Sequence, residues 1–362
     1  MIRWRDGIVT ERGTGWPGAM ELRVRLSGTG ADDAEPVKAL AYTALVGEPE
    51  VGDRVLLNAT ALLMGLGTGG YAMVVAVPDR VPADPPPAPG HLVKARYTPL
   101  QTTVLGVDEQ DSDAHEALRD ADDLTGLPVV VADLHSALPA ILAGARLERP
   151  GIRAVYLMTD GGALPLTFSR AVAGLSEAGW LAGSITVGQA FGGTLEAVTL
   201  HTGLLAARQV LSADLAVVVQ GPGNLGTGTR WGFSGVAAGE AINAASVLDG
   251  RPVACLRVSE ADPRERHRGV SHHSLTAYGR VAMASADVAV PLLPGDLGAR
   301  VREQAAALAP KHRLVEVETD GLLDALRESP VRLSTMGRGL DEDPAGFLAA
   351  AAAGRHAARL LA

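Results

Sequence analysis

The sequence contains very little cysteine and few aromatic residues. Of its 362 residues one is cysteine, and Phe, Trp and Tyr together make up 4%. The single thiol, Cys255, lies in the apolar run PVACLRVS. A disulfide, a zinc-thiolate site and a Cys-x-x-Cys motif are therefore excluded within one chain, and we interpret Cys255 as a buried structural thiol.

Long apolar runs and an excess of positive charge are also absent. No stretch approaches the roughly 18 uninterrupted apolar residues of a membrane span, and the first residues, MIRWRDGIVTERG, contain no apolar signal segment. We therefore expect a cytoplasmic protein that does not contact a membrane. The net charge is −9 and the arginines are dispersed, which argues against a nucleic-acid partner. A small-molecule partner is expected instead.

The chain has the length and composition of two folded domains, with 47% hydrophobic residues and 43 glycines. Residues 1–77 predict a small β-rich, barrel-like domain, because five short β-rich runs alternate with turn signals. These runs are GIVTER, MELRVRL, VKALAYTAL, DRVLLNATAL and YAMVVAV. Six of the thirteen residues in 78–90 are proline, which predicts a stiff linker.

Residues 91–362 predict a doubly wound, Rossmann-like α/β domain with a mostly parallel sheet of about seven strands. The strands are LPVVVADL, IRAVYLMT, LAGSITVG, DLAVVVQG, RPVACLRVS, ADVAVPLL and HRLVEVET. The helices between them are expected at 136–145, 166–178, 196–211, 234–248, 274–285 and 297–308. Several strands are apolar throughout, which favours helices on both faces of the sheet. The alanine-rich C-terminal segment predicts a docked terminal helix.

A glycine-rich loop, GPGNLGTGTRWGFSG at 221–235, follows the fourth of these strands. Ligands bind at the carboxyl ends of the strands in such sheets, and backbone N–H groups of such a loop can hold a phosphate or carboxylate. The candidate ligand-binding residues are Gly221, Gly223, Gly226, Thr227 and Gly228. A purely structural, glycine-requiring turn remains an alternative.

Nucleotide motifs fit this loop poorly. A dinucleotide fingerprint requires an acidic residue about 20 positions further on. The first candidates, Glu260 and Asp262, stand 34 and 36 positions beyond Gly226. No lysine follows the glycines, so the loop is not a P-loop for nucleoside triphosphates.

A second polar loop, TDGGALPLTFS at 159–169, follows the second of these strands. Asp160 could serve as a base, a metal ligand, a hydrogen-bond acceptor from substrate, or only as a turn cap. Gly161 and Gly162 beside it are candidate ligand-binding residues. Gln189 and Glu196 in the next loop have weaker support, since Glu196 would also stabilise the first turn of its predicted helix.

The stretch ADPRERHRGVSHHSLTAYG, residues 261–279, holds three of the nine histidines. Their positions, 267, 272 and 273, do not have the i, i+4 spacing of a helical zinc site. Three alternatives stay open: a metal wrapped by the loop with Asp262 as a carboxylate, an acid/base and anion site, and a solvated loop. The candidate catalytic histidines are His267, His272 and His273.

The arginines of this stretch favour an anionic ligand, because guanidinium groups bind carboxylate or phosphate in a bidentate manner. Arg264, Arg266 and Ser271 are therefore further candidate ligand-binding residues, together with Asp262. Ser271 and His272 do not form a Ser/His dyad, because neighbouring residues rarely align for proton transfer, and G-x-S-x-G is absent.

Several of these segments together resemble a bacterial protein family known as domain-of-unknown-function family 3866. They are GHLVKARYTPLQ, YLMTDGGALP, GPGNLGTGT, DPRERHRGVSHHSLTA and STMGRGLDEDP. The resemblance runs over nearly the whole chain. It implies a cytoplasmic bacterial protein with the same two-part layout, and it implies no particular activity.

We predict an enzyme, a hydrolase or group transferase, that acts on an anionic, phosphate- or nucleotide-like small molecule. In this hypothesis the glycines hold the anion, the arginines neutralise it, and Asp160 with the histidines transfers protons. The alternatives are a non-catalytic ligand-binding regulatory or scaffold protein and an NAD-dependent oxidoreductase. The sequence assigns no cofactor or metal, and the alanine-rich helices would suit a homodimer interface.

Overall fold

The computed structural model describes residues 1–27, 35–66 and 69–361. The chain forms two compact units. The first comprises Met1–Ala88 and Ala95–Thr102, and the second comprises Pro89–Lys94 and Thr103–Ala362. Residues 81–88 of the proline-rich stretch form neither helix nor strand. Among the described residues, no helix is long and apolar enough to cross a membrane.

The first unit is a closed β-barrel, as the alternating runs predict. Its five strands in the described ranges are β1 (Trp4–Trp16), β2 (Ala19–Leu26), β3 (Val37–Tyr42), β4 (Arg54–Asn58) and β5 (Ala72–Ala76). They pair in the order β1-β2-β3-β5-β4, and the β1–β4 pairing closes the barrel. Inward residues such as Val24, Leu57 and Val74 fill its core. Two short helices belong to this unit, α1 (Thr43–Val46) and α2 (Thr60–Leu63).

The second unit is a doubly wound α/β domain, as predicted. Its all-parallel sheet contains eight strands in the described part of the chain. They are β8 (Pro128–Val131), β9 (Ala154–Thr159), β10 (Gly183–Thr186), β11 (Leu195–Glu196), β12 (Leu215–Gln220), β13 (Arg251–Cys255), β16 (Asp287–Leu292) and β17 (Arg313–Glu318). Their spatial order is β11-β10-β9-β12-β8-β13-β16-β17.

Three further two-stranded sheets occur among the described residues: β6 (Leu92–Lys94) with β7 (Thr102–Val104), the antiparallel pair β14 (Val258–Ser259) and β15 (Gly269–Val270), and the antiparallel pair β18 (Ser334–Thr335) and β19 (Arg338–Gly339). The helices are α3 (His115–Leu118), α4 (Leu138–Glu148), α5 (Arg170–Glu177), α6 (Leu200–Gln209), α7 (Ala237–Val247), α8 (His272–Thr276), α9 (Gly295–Ala305), α10 (Leu322–Arg327) and α11 (Pro344–Arg359). Single 3₁₀ turns cover His135–Ala137, Leu166–Phe168, Ser234–Val236, Glu265–His267 and Ala306–Leu308, and a π-helical turn covers Ala277–Val281.

The two faces of the sheet carry separate apolar cores. Helices α6, α7 and α9 pack on one face, where Val129 and Val131 of β8 point. Helices α4, α5, α10 and α11 pack on the other face, where Val130 points. Strands buried on both faces must be apolar at every position, which explains the continuous apolar runs in the sequence.

The order in which the chain adds strands to the sheet reverses next to β8, which lies between β12 and β13. The strands β9 and β10 that come after β8 lie on one side of it, and the later strands β13, β16 and β17 lie on the other. The helix that follows β8, α4, lies on one face, whereas the helix that follows β12, α7, lies on the other. The loops after these adjacent strands therefore diverge and leave a crevice at the carboxyl end of β8. Ligands bind at such switch points in doubly wound sheets.

Two sequence predictions about helices are wrong. The predicted helix at 196–211 begins only at Leu200, because Glu196 belongs to β11, which pairs with β10. Glu196 is buried, accepts hydrogen bonds from Thr186 Oγ1 and the Gly192 N–H, and lies 3.5 Å from Lys94 Nζ. It therefore does not stabilise a helix start. The predicted helix at 274–285 begins earlier, at His272, and ends as the π-helical turn.

Helices α4 and α11 cross at a very short distance, which depends on two glycines. A Cβ at Gly144 would lie 1.9 Å from the Ala351 carbonyl oxygen, and one at Gly354 would lie 1.9 Å from the Ile141 carbonyl oxygen. Helix α11 is buried along most of its length, as the docked terminal helix predicted from the sequence would be.

We expect Gly144→Ala to destabilise the protein by about 1–3 kcal/mol, because the added methyl group forces two packed helices apart. Urea unfolding followed by circular dichroism measures this change. Gly151→Ala is the matched control, since a Cβ there meets no atom within 4 Å. Equal unfolding midpoints for the two variants would contradict the close crossing.

Candidate functional site

An open cleft of about 520 Å³ lies at the carboxyl edge of the sheet. The glycine-rich loop and the histidine stretch both line it. Its walls include Asn224, Leu225, Gly226 and Gly228 from the first, and Arg257, Arg264, Arg266, His267 and His273 from the segment after β13. None of the described residues that line the cleft carries a carboxylate, whereas three carry a guanidinium. The cleft is therefore positively charged.

The glycine-rich loop is held by its own backbone. Gly226 pairs with Phe233, and the Thr227 N–H donates to the Gly232 carbonyl oxygen over 2.7 Å. The hydroxyl of Thr227 is used within the loop as well, against Thr229 and Gly232. Within the described ranges the N–H groups of Gly226 and Gly228 donate to no protein acceptor, so they remain available to an anion.

Other predicted glycines support this loop rather than line the cleft. A Cβ at Gly162 would lie 2.1 Å from the Gly221 carbonyl oxygen, and one at Gly161 would lie 2.4 Å from Gln220 Oε1. Gly223 has a φ of +93°, which favours glycine. Gly161 and Gly162 let the loops after β9 and β12 approach closely.

Asp160 and Gln189 contact each other and do not line the cleft. The carboxylate of Asp160, which is exposed at the end of β9, accepts a hydrogen bond from the Gln189 backbone N–H over 2.9 Å. The arrangement joins the loops after β9 and β10. The catalytic role of Asp160 and the ligand-binding role of Gln189 stay predictions.

The three histidines converge in space although their spacing in the sequence is irregular. The chain passes from His267 through β15 and returns at the first residues of α8, His272 and His273. Ring centroids are 5.0 Å apart for His267 and His272, 5.0 Å for His267 and His273, and 4.5 Å for the adjacent pair. Phe233 stacks on His273 at 3.8 Å. The cluster therefore forms at a helix start, next to the glycine-rich loop.

Ser271 and Arg257 orient these rings. Ser271 is fully buried, accepts a hydrogen bond from the His273 N–H as the N-cap of α8, and lies 2.8 Å from His267 Nδ1 through its Oγ. Arg257 Nη1 lies 3.0 Å from His273 Nδ1. The ring planes of His267 and His273 are thus held by neighbours through their Nδ1 atoms.

Asp133 is a site residue that the sequence reasoning did not identify. It follows β8 directly, is 3% exposed, and its Oδ2 lies 3.4 Å from His273 Nδ1 and 3.7 Å from Arg257 Nη1. Burial alone would raise the pKa of Asp133, but His273 and Arg257 overcome that effect and lower it, so the group is ionised. A polar residue directly after a buried apolar strand is the signal that could have identified it.

The charges of the cluster determine the protonation of the rings. Burial and the nearby positive charge of Arg257 and Arg264 lower the pKa of His267 to about 3. Burial and the neighbouring His273 and Arg266 lower the pKa of His272 to about 4. Both imidazoles are therefore neutral near pH 7, where they have a lone pair for a metal ion but are weak bases.

Asp262 does not belong to the histidine cluster. Its carboxylate, 1% exposed, accepts two hydrogen bonds of 2.9 Å from Arg264 and lies 3.4 Å from Arg338. The bidentate contact with Arg264 holds the pKa of Asp262 far below its usual range. Asp262 thus positions Arg264 and ties the loop to the β18–β19 hairpin.

A second cavity, of about 500 Å³, adjoins the cleft. The two share Leu134, Arg257 and Met336 as walls. The second cavity is mostly apolar, with Leu256, Val258, Phe347 and Ala350 among its lining residues. Cys255 also lines it, and burial raises the pKa of that thiol, so the thiolate is not formed near neutral pH.

His135, close to the site in sequence, has a structural role. Its Nε2 lies 2.7 Å from Ser169 Oγ and its Nδ1 lies 3.1 Å from Tyr156 Oη, and burial lowers its pKa to about 4. The unfolded chain therefore takes up a proton near pH 6.5, well before the folded protein does.

Because the folded pKa of His135 is the lower one, its contribution to stability is complete above pH 6.5 and is lost as the pH falls towards 4. The loss reaches at most about 1.4 kcal/mol per pH unit. Urea unfolding between pH 7.5 and 4.5 should therefore show a steeper decline in wild type than in His135→Gln. Parallel declines would contradict a neutral, partly buried His135.

Comparison with known proteins gives a family and no function. No curated protein and no solved structure matches the chain. The family described as "Protein of unknown function (DUF3866)" matches residues 38–354, which include β3 from Lys38 onwards, β4 and β5 of the barrel, and nearly all of the α/β domain. Since this match covers well over half of the sequence, the chain belongs to the DUF3866 family.

Proposed function

We propose that the protein is an enzyme, a hydrolase or group transferase, that acts on an anionic, phosphate- or nucleotide-like small molecule in the cleft. The observation that carries the proposal is the lining of the cleft. Gly226 and Gly228, whose backbone N–H groups donate to no described acceptor, line the same space as the guanidinium and imidazole groups after β13. Such donors bind phosphate and carboxylate oxygens.

The charge balance supports an anionic ligand. Arg264 is paired with Asp262, and Arg257 lies near Asp133. Arg266 is exposed and forms no ion pair with any described residue. Its guanidinium lies 3.8 Å from the position that a Cβ at Gly228 would occupy. An anion between the glycine-rich loop and Arg266 would balance this charge.

The adjoining apolar cavity supports a ligand with two unlike parts. The apolar walls of the second cavity would suit an apolar part of the ligand, while an anionic group would lie in the cleft, with Arg257 between them. Ligand sites combine such apolar walls with a few convergent polar groups.

The neutral histidines support catalysis in the same place. A bound anion raises the pKa of a neighbouring imidazole because it stabilises the protonated form. His267 lines the cleft, so the ligand itself would move the pKa of His267 from about 3 towards neutrality. An imidazole that titrates near the working pH is an efficient general acid or base.

We expect Arg266→Gln to weaken the binding of pyrophosphate and of a nucleoside monophosphate about 10- to 100-fold, the cost of one charge-assisted hydrogen bond. Isothermal titration calorimetry measures this loss. Arg268→Gln is the matched control: Arg268 stands two positions away, does not line the cleft, and donates to the Asp262 carbonyl oxygen. Equal affinities of wild type and both variants for these anions would contradict an anion site at Arg266.

Turnover separates an enzyme from a sensor. A screen of phosphate monoesters, nucleotides and carboxylic esters should reveal a substrate whose hydrolysis or transfer is lost in His267→Gln. A ligand-dependent rise in melting temperature without turnover of any compound would favour the regulatory alternative. The NAD-dependent alternative lacks its acidic residue, since β13 ends at Cys255 and is followed by Leu256 and Arg257.

A further inference from the structure

In the described part of the chain, the three histidines are the only cluster of three or more His, Cys, Asp or Glu side chains that could bind one metal ion together. One ring nitrogen from each of His267, His272 and His273 lies within 4.8 Å of the others. A tetrahedral zinc ion with Zn–N bonds of about 2.0–2.1 Å holds its nitrogens roughly 3.3 Å apart. Small rotations of the side chains therefore suffice to close the set around an ion.

The hydrogen bonds of the cluster leave the Nε2 atoms for a ligand. His267 contacts Ser271 through Nδ1, and His273 contacts Arg257 and Asp133 through Nδ1. Ser271 Oγ already accepts from the His273 N–H and has a second lone pair for an Nδ1–H of His267. Metal-binding histidines usually donate their other N–H to a carboxylate or an oxygen, as His267 can towards Ser271. His273 Nδ1 accepts from Arg257 in this structure, because an arginine N–H can only donate.

Two buried atoms of the cluster lack partners. His272 Nε2 and Asp133 Oδ2 are both inaccessible to solvent, and neither forms a hydrogen bond with any described residue. A buried polar atom without a partner is costly, and each such atom in a folded protein calls for an explanation. A metal ion at His272 Nε2 provides a partner for the first atom. Asp133 Oδ2 gains a partner when the proton of His273 lies on Nδ1, which requires Arg257, a donor only, to turn away from that nitrogen.

We propose that His267, His272 and His273 bind a divalent transition-metal ion, of which zinc suits three imidazoles well, through their Nε2 atoms. Asp133 acts as a positioning residue: in the metal-bound state it accepts the Nδ1–H of His273, in place of the contact that this nitrogen makes with Arg257, and so fixes the tautomer that leaves Nε2 free. Metal binding does not depend on the anionic ligand. Any catalytic use of the ion, as a Lewis acid at its open fourth position, rests on the proposed function; His267 would then serve as a ligand of the ion and not as the general acid or base.

The three histidines lack the sequence spacing of a helical zinc motif, but they offer the same kind of ligand, the imidazole nitrogen. Three neutral imidazoles with one open position are a known catalytic zinc set, whereas structural sites have four protein ligands. Two of the three, His267 and His273, also line the cleft. An ion held there would add positive charge beside Arg257 and Arg266 and would favour the anionic ligand further.

Zinc binding to the full chain, without a polyhistidine tag and after treatment with a chelator, tests the proposal. Calorimetry and native mass spectrometry should show one tight zinc ion per chain. Cobalt(II) in its place should give the visible absorption of a four-coordinate site. His272→Ala should weaken binding more than the 10- to 100-fold typical of an outer-shell partner, and Asp133→Asn should weaken it about 10- to 100-fold. His201→Ala, at an exposed histidine, should bind as wild type does.

Absence of tight zinc binding to the folded wild type, or unchanged binding in His272→Ala, would overturn the proposal. The wild-type stoichiometry and cobalt spectrum remain decisive even where a variant fails to fold. Tight zinc binding without affinity for pyrophosphate would leave the metal site standing and refute the proposed function. Pyrophosphate binding in chelator-treated protein that takes up no zinc would refute the metal site and leave the proposed function standing.

Discussion

The site depends on one buried carboxylate. Asp133 lies at the carboxyl end of the central strand β8 and is almost completely shielded from water. A buried charge is very costly unless opposite charges and hydrogen-bond donors compensate for it. Arg257 after β13 and His273 at the start of α8 provide that compensation. Neutralisation of Asp133 thus requires the loop after β13 and the first turn of α8 to lie beside the carboxyl end of β8.

The topology of the sheet supplies the rest of the site. Strand β8 has β12 on one side and β13 on the other, so the glycine-rich loop and the histidine stretch flank its end although 25 residues of the chain, 236–260, lie between them. The loop after β9 packs against the start of the glycine-rich loop through the close contact of Gly162 with Gly221. The result is a cleft with backbone donors on one wall and arginine and histidine side chains on the other.

The sequence predicts the architecture better than the site. Seven apolar runs form strands, because burial on both faces of the sheet requires continuous apolar residues. The two-residue strand β11 has no such signal, and the sequence pattern predicts a helix start at its second residue. The histidine and glycine segments were expected to meet because both follow strands of one parallel sheet. Asp133 and Arg257 were not identified, because each was counted within a strand, and the order of the strands cannot be derived from local pattern.

The most direct test is anomalous X-ray diffraction at the zinc edge from crystals soaked in zinc and inorganic phosphate. We expect one strong peak among the Nε2 atoms of His267, His272 and His273, with phosphate in the cleft between Gly226 and Arg266. A cleft without phosphate, and zinc found only at exposed histidines such as His91 and His201, would contradict the account.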